Sequence, residues 1–335
     1  MAQLTTDNTQ TTWEQGWTRG KSLLQRQGAL IALIILVLFG SIRYTGFLSS
    51  FNIYNFLTYN TMFALISLGM TFVIMTGGID LSVGSVVALA SVVAARFSNY
   101  GLGAAMLAAI VTGVIIGLIN GLAVTWLRIL PFIATLAMLL AARGLALVFS
   151  NDASIPVNTN TDFISIWTNT LLHIPIPIYF LVLAYALGLI VHHFTRFGRH
   201  VLAIGGNEEA ARLMGLPVDR IKLLVYVISG GLAGLAGVFL AAQTNTGSPN
   251  EGVGWELTAI ASVVVGGTLL TGGMGSVFAT LIGSLLLGLV FNILNFENGY
   301  GLISLSVYWQ SVIRGAFLLI VVLLQSRLAR QKASG

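Results

Sequence analysis

Few side chains in this 335-residue sequence are equipped for chemistry, and their placement limits what the chain can do. With no cysteine, there is no disulfide framework, thiol nucleophile or thiolate metal site. His173, His192, His193 and His200 form no metal-ligand constellation, so no metal is expected. No nucleophile stands beside a base and no paired acids lie within an apolar run, which argues against an enzyme working inside a membrane. Gly16 to Ser22, GWTRGKS, falls one residue short of the phosphate-loop spacing and lacks the strand and helix that the motif requires. It reads as a basic anchor, and ATP hydrolysis is not expected of this chain.

The remaining polar groups are of two kinds. Isolated ones interrupt apolar runs: Asp80 with Ser82, Glu256 with Thr258, the amides Asn120, Asn292 and Asn295, and the cations Arg143 and Arg314. A buried carboxylate costs about 2.5–3.5 kcal/mol on insertion scales, so Asp80 and Glu256 should cap backbone N–H groups or meet a basic side chain. Uncharged amides can offer donors and acceptors along a solute path, although bonding between helices is their commoner use. Phe132, Trp126 and Phe291 can offer ring faces, or mark the interface belt. Arg143 and Arg314 must reach water, a carboxylate or helix-end carbonyls.

The second kind is concentrated in Ala203 to Lys222, AIGGNEEAARLMGLPVDRIK, the one long stretch dense in both charge signs, with Arg196 and Arg199 just upstream. Asn207 can cap a helix whose first turn holds Glu208 and Glu209, and Gly215 with Pro217 stops it. A helix of about two turns is not stable alone in water, so this one needs a surface to rest on. Asn207, Glu208, Glu209, Ala210, Arg212, Leu213, Met214 and Gly215 are therefore candidates for contact with a partner. Arg212 would pair with a partner's acid, while Leu213, Met214 and Leu216 supply an apolar face.

The elements that hold these groups are apolar spans. The composition is 56% hydrophobic and 8% charged, and the apolar runs approach the ~20 residues that cross a bilayer. The fold class is an all-α polytopic membrane protein. Ten spans are expected: Ala29 to Tyr44, Phe56 to Met75, Leu81 to Phe97, Ala104 to Leu127, Pro131 to Phe149, Ile178 to Phe194, Leu223 to Ala242, Leu257 to Thr271, Ser276 to Phe296 and Val307 to Leu324. Residues 1–28 and 326–335 are then tails, the first largely disordered and uncleaved, and 195–222 is a cytoplasmic loop within a membrane domain of 29–325.

Basic residues agree with that count. Arg19, Lys21 and Arg26 place the N-terminus inside, and Arg327, Arg330 and Lys332 place the C-terminus on the same side. The loops Ser150 to Pro177, Gln243 to Glu256 and Glu297 to Ser306 carry neither Lys nor Arg, as outer loops do. Despite a net charge of +5, nucleic acid is not an expected partner, because the basic groups are topology signals.

An internal echo supports the same arrangement. Asp80-Leu-Ser precedes SVVALASV as Glu256-Leu-Thr precedes AIASVVVGG; GLIN at Gly117 echoes GLVFN at Gly288, and Arg143-Gly echoes Arg314-Gly, at offsets of 176, 171 and 171. Halves of five spans have opposite orientations, giving a 5+5 inverted-topology repeat. Thirty-eight glycines favour close helix contact and short or broken helices, above all Leu257 to Thr271. On this topology Asp80 lies near the inner side and Glu256 near the outer side.

Three segments, MTGGIDLSVGSVVALASVVAA from Met75, AIGGNEEAARLMGLPVDRIK from Ala203 and GWELTAIASVVVGGTLLTGGMGS from Gly254, resemble the permease subunits of bacterial ABC importers for monosaccharides, the ribose, xylose and galactofuranose group. The likeness runs from about Ala29 to Leu324. SIPVN at Ser154 and LNF at Leu294 are most similar to the galactofuranose type. The resemblance implies a multi-pass inner-membrane protein with both termini cytoplasmic. It also implies a second permease subunit, identical or related, a periplasmic sugar-binding protein, and a cytoplasmic ATPase that binds the ATP and Mg. NEEAARLMG then matches the coupling loop that enters a cleft of the ATPase. Asp80, Ser82, Asn120, Glu256, Thr258, Asn292 and Asn295 are translocation-path candidates, and Asn151, Asp152 and Asn158 in the acidic outer loop are candidates for receiving the binding protein. An ion-coupled secondary transporter is the alternative, disfavoured by the scarcity of deep acids; a permease for branched amino acids or cobalamin is another.

Overall fold

The computed structural model describes residues 12–300, together with Trp309, Val312, Ile313, Gly315 and Ala316. Arg314, Arg327, Arg330, Lys332 and most of the tenth expected span lie outside the described residues.

Twelve helices are described: α1 (Thr12–Arg43), α2 (Ser50–Met75), α3 (Val83–Phe97), α4 (Leu102–Thr125), α5 (Pro131–Ser150), α6 (Ser165–Thr168), α7 (Ile176–Phe194), α8 (Arg196–Gly206), α9 (Glu208–Leu213), α10 (Val218–Thr244), α11 (Trp255–Val265) and α12 (Val277–Tyr300). Seven are long and apolar enough to cross a membrane, and two shorter apolar helices, Gly28–Arg43 within α1 and Trp255–Val265, coincide with expected spans. The sequence reading differs at the N-terminus. Thr12 to Gly28 continues α1 as helix rather than forming a disordered tail, and it encloses GWTRGKS, so that segment is not a loop. Its Glu, Gln, Arg, Lys and Leu residues are strong helix formers.

The centre of the molecule is α2, enclosed through most of Thr58 to Met75. It ends at Thr76, and a non-helical turn from Gly77 to Ser82 separates it from α3. Beside it, α4 and α10 make the most extensive helix contact among the described residues. A Cβ on Gly113 would stand 2.1 Å from the Gly230 carbonyl oxygen, and one on Gly117 would stand 2.2 Å from the Tyr226 oxygen. Residues four apart share a helix face, so Gly113, Gly117 and Gly121 form one groove that receives the α10 backbone.

At 11 residues, α11 is about 16 Å long, roughly half the hydrocarbon thickness. Glycine-rich chain from Gly266 to Gly275 follows it, so the expected short helix is present. Its first turn meets that of α3: a Cβ on Gly84 would be 2.2 Å from the Gly252 oxygen and 2.6 Å from Oε2 of Glu256. The two acid-marked helix starts are neighbours, not separated by the bilayer as the span count suggested. A short α11 preceded by irregular chain lets its amino end reach the interior.

Two small antiparallel pairings stitch the loops. Ile155 and Pro156 (β1) pair with Thr246 and Gly247 (β4), and Thr170–Leu171 (β2) pairs with Ile174–Pro175 (β3).

Candidate functional site

A cavity of about 400 Å³ lies between α2, α11 and α12. Asn55, Phe56, Tyr59, Asn60 and Phe63 follow the helical period along one face of α2, and Ser284, Leu287, Gly288, Phe291, Asn292 and Asn295 do the same on α12. Thr258 closes the wall from α11. Four amides, two aliphatic hydroxyls and four aromatic rings line the space, with no charged side chain among the described residues.

Three amides tie the walls together. Asn52 and Asn292 exchange hydrogen bonds, Asn292 Nδ2 donating at 2.9 Å and Asn52 Nδ2 at 3.3 Å, while Asn60 reaches Ser284 Oγ at 3.5 Å. Asn55 and Asn295 are exposed and make no side-chain hydrogen bond among the described residues. Such amides are costly against lipid, so this face looks onto water or protein. The surfaces of α4, α5 and α7 contrast with it, exposing Leu107, Ile115, Leu140, Val148, Val182 and Leu187. Of the path candidates, Thr258, Asn292 and Asn295 line the cavity; Asp80, Ser82, Asn120 and Glu256 do not. Phe291 lines it too, whereas Trp126 and Phe132 are exposed elsewhere. Asn55 and Asn60 went unnoticed in the sequence, although their spacing from Tyr59 and Phe63 was the available signal.

Asp80, Ser82 and Asn120 form a separate buried cluster. Asp80 Oδ1 accepts from the Ser82 N–H at 3.0 Å and hydroxyl at 2.6 Å, and Oδ2 accepts from the Ser229 hydroxyl at 2.9 Å. Asn120 Nδ2 donates to Ser82 Oγ at 2.9 Å. Asp80 is thus held by local donors, as a carboxylate at a helix start should be. Glu256 is half-buried against α3. Arg143 reaches carbonyls of the loop before α11, those of Pro249 and Glu251, rather than helix-end ones.

The charged loop has the local form its sequence requires. Asn207 accepts from the Ala210 N–H at 2.9 Å, with Glu208 and Glu209 in the first turn of the six-residue α9. Gly215 then turns the chain at φ +78°, a conformation that a side chain resists. Leu213 and Met214 are 84% and 69% exposed, while Leu216 packs inward. Arg212 departs from expectation: its guanidinium is engaged within the loop, by Glu208 at 3.1 Å and by Asp219. Lys222 also pairs with Glu208. The Arg212 hydrogen bond holds the Asp219 carboxyl below its ordinary range. Partial burial pushes Glu208 upward, but Lys222 and Arg212 outweigh it and the net shift is down. The bonds to Asp219, foremost, and Glu208 raise Arg212, which stays charged throughout.

This loop is anchored to the cavity walls. Gly205 in α8 lies against the Met75 carbonyl at the end of α2, and Gly273, between α11 and α12, donates to the same oxygen at 3.0 Å. Phe197 of α8 also meets Phe72 of α2, ring centres 6.0 Å apart.

At the other loop, Asn158 is occupied in holding the chain: its N–H donates to Ser98 Oγ at 2.8 Å and its Nδ2 to Asn99 Oδ1 at 2.9 Å. Asn151 and Asp152 are exposed in the turn after α5. Asp162, nearby, accepts from the Leu102 N–H at the start of α4 at 2.8 Å.

Residues 52–322 match the family model described as branched-chain amino acid transport system / permease component. Ribose import permease protein RbsC of Escherichia coli (strain K12) is 39% identical over 92% of this chain and 95% of its own length. The protein of the same name from Bacillus subtilis (strain 168) is 40% identical over 91% and 94%. D-allose transport system permease protein AlsC of Escherichia coli (strain K12) is 35% identical over 90% and 91%. No solved structure matches the chain.

Proposed function

The chain belongs to this family of transport-system permease components, and from that membership we propose that it carries a neutral monosaccharide through the cavity between α2, α11 and α12. It is a multi-pass membrane protein and an ABC permease subunit. The observation that carries the substrate reading is the uncharged lining of amides and aromatic rings. Sugar hydroxyls exchange hydrogen bonds with amides, and the apolar face of a sugar ring rests on an aromatic one. A zwitterionic amino acid would leave two charges unmatched there.

Work enters elsewhere. A separate cytoplasmic ATPase binds ATP and Mg²⁺ and receives α9, with Leu213 and Met214 as the apolar contact and Glu209 as the free charge beside it. Arg212 keeps the loop in shape. Displacement of α9 passes through α8 to Met75 and Gly273, and so to the ends of the helices that form the cavity. A second permease subunit, a copy or a relative, faces Asn55 and Asn295 across a water-filled path, and a periplasmic binding protein delivers the sugar near Asn151 and Asp152. Both termini lie in the cytoplasm of an inner-membrane protein of ten spans, arranged as inverted halves of five. The neighbouring starts of α3 and α11 support that symmetry.

The absence of native cysteine permits a direct test. Asn55→Cys and Asn295→Cys, each alone in the assembled transporter, should react with a charged thiol reagent and be shielded by a transported sugar. Leu140→Cys, on an apolar surface, should not react. Equal reactivity at all three positions, or no shielding, would refute the assignment of the cavity.

A further inference from the structure

The cluster around Asp80 holds an imbalance that transport through the neighbouring cavity does not explain. Asp80 is 1% exposed and, among the described residues, no Lys, Arg or His pairs with it. One backbone N–H and two hydroxyls solvate the carboxylate, but they bring no whole charge. An uncompensated charge at such a site is expensive.

Two further buried polar atoms around it lack partners among the described residues. Asn120 is 1% exposed, and its Oδ1 accepts nothing although its Nδ2 is already on Ser82. Tyr226, also 1% exposed, leaves its hydroxyl unpartnered and aimed at the turn before Asp80, where a Cβ on Gly78 would stand 2.6 Å from it. Tyr226 and Ser229 are three apart on α10 and present one face to this turn.

We infer that Asp80, Asn120, Tyr226 and the hydroxyls of Ser82 and Ser229 enclose a resident small monovalent cation. The donor set is one carboxylate and neutral oxygens, which suits a hard, singly charged ion. Each serine hydroxyl that donates to Asp80 keeps a lone pair for such an ion, Ser82 Oγ one of its two because the other accepts from Asn120 Nδ2. A water molecule would satisfy the unpartnered atoms, and a proton on Asp80 would remove the charge; retained sodium distinguishes the ion from that arrangement. Because none of the five residues lines the cavity, the ion is a structural clasp joining the start of α3 to α4 and α10, not cargo.

The test uses the full chain in lipid nanodiscs at constant ionic strength, with sodium, potassium or choline chloride. Sodium should raise the unfolding midpoint saturably, by about 2–4 °C over choline. About one radioactive sodium ion should be retained per chain. Asp80→Asn should abolish both effects, and Tyr226→Phe or Asn120→Ala should weaken retention at least tenfold. Stabilisation by potassium equal to that by sodium still supports the site. Equal midpoints in all three salts with no retained sodium by the wild-type chain would overturn it, whether or not the Asp80 variant folds, and would leave a bridging water beside a protonated Asp80. Sodium retention undiminished in both Tyr226→Phe and Asn120→Ala would place the ion elsewhere and also overturn it.

Discussion

Asn292 does two things at once: it lines the cavity and exchanges hydrogen bonds with Asn52 across the α2–α12 seam. Replacing it with leucine removes the pair and leaves the Asn52 amide short of a partner. Asn292→Leu should lower stability by about 0.5–1.5 kcal/mol, the range for side-chain hydrogen bonds between membrane helices. Uptake should fall much further than folding does, because the path itself is altered. Thermal unfolding and initial uptake rates on one preparation separate the two effects; equal rates in variant and wild type would count against the cavity. Amides inside apolar spans were visible in the sequence at 120, 292 and 295, but the division of labour among them was not. Asn120 turned toward Ser82, away from the cavity, because helix rotation and a tight glycine seam decide where a side chain points.

Among the elements, α9 was the most legible, since cap, acids and glycine stop are all local signals. What the sequence concealed was the fate of Arg212, because its pairing with Asp219 depends on how the chain folds back after Pro217. That network has a pH signature. Glu208 and Asp219 both have carboxyls depressed below the ordinary range. Their stabilisation is therefore fully present above the unfolded values of about 4–4.5 and disappears as pH falls through the lower folded values. Amide exchange in residues 208–222, corrected for its intrinsic pH dependence, should show constant protection from pH 6 to 8 and reduced protection below about pH 4. Protection that falls between pH 8 and 6 would indicate a different titrating group. The surface exposure of these pairs keeps the energy small.

The α4–α10 seam makes the second prediction at this scale. Gly117→Ala places a methyl against the α10 backbone and should cost about 1–3 kcal/mol. Gly144, where a Cβ would meet nothing within 4 Å, should accept alanine without loss. Unfolding midpoints of the two variants decide the matter, and equal behaviour would mean that the helices do not pack in this way. The glycine content announced close packing, but the partners became clear only when α4 and α10 came together.

For the whole molecule, charge distribution and span length were enough to identify a polytopic helical protein; seven of the expected spans fall on described helices long and apolar enough to cross a membrane, and two more overlap shorter apolar helices. The sequence misjudged where the two acid-marked helix starts lie. Counting crossings placed Asp80 and Glu256 on opposite sides, yet short helices and irregular chain bring the α3 and α11 starts together at Gly84. A span count carries topology but not depth. The resulting molecule has an uncharged cavity formed by α2, α11 and α12, a lipid-like apolar surface on α4, α5 and α7, and one small exposed helix tied through α8 to the cavity walls.

The link from α9 to the cavity is tested most directly by ATP-driven uptake of a labelled monosaccharide into proteoliposomes containing the whole transporter with Glu209→Arg and Gly215→Trp in this chain. Assembly should survive, and uptake driven by ATP should fall to the level seen without nucleotide. Undiminished ATP-driven uptake by the assembled double variant would contradict the account.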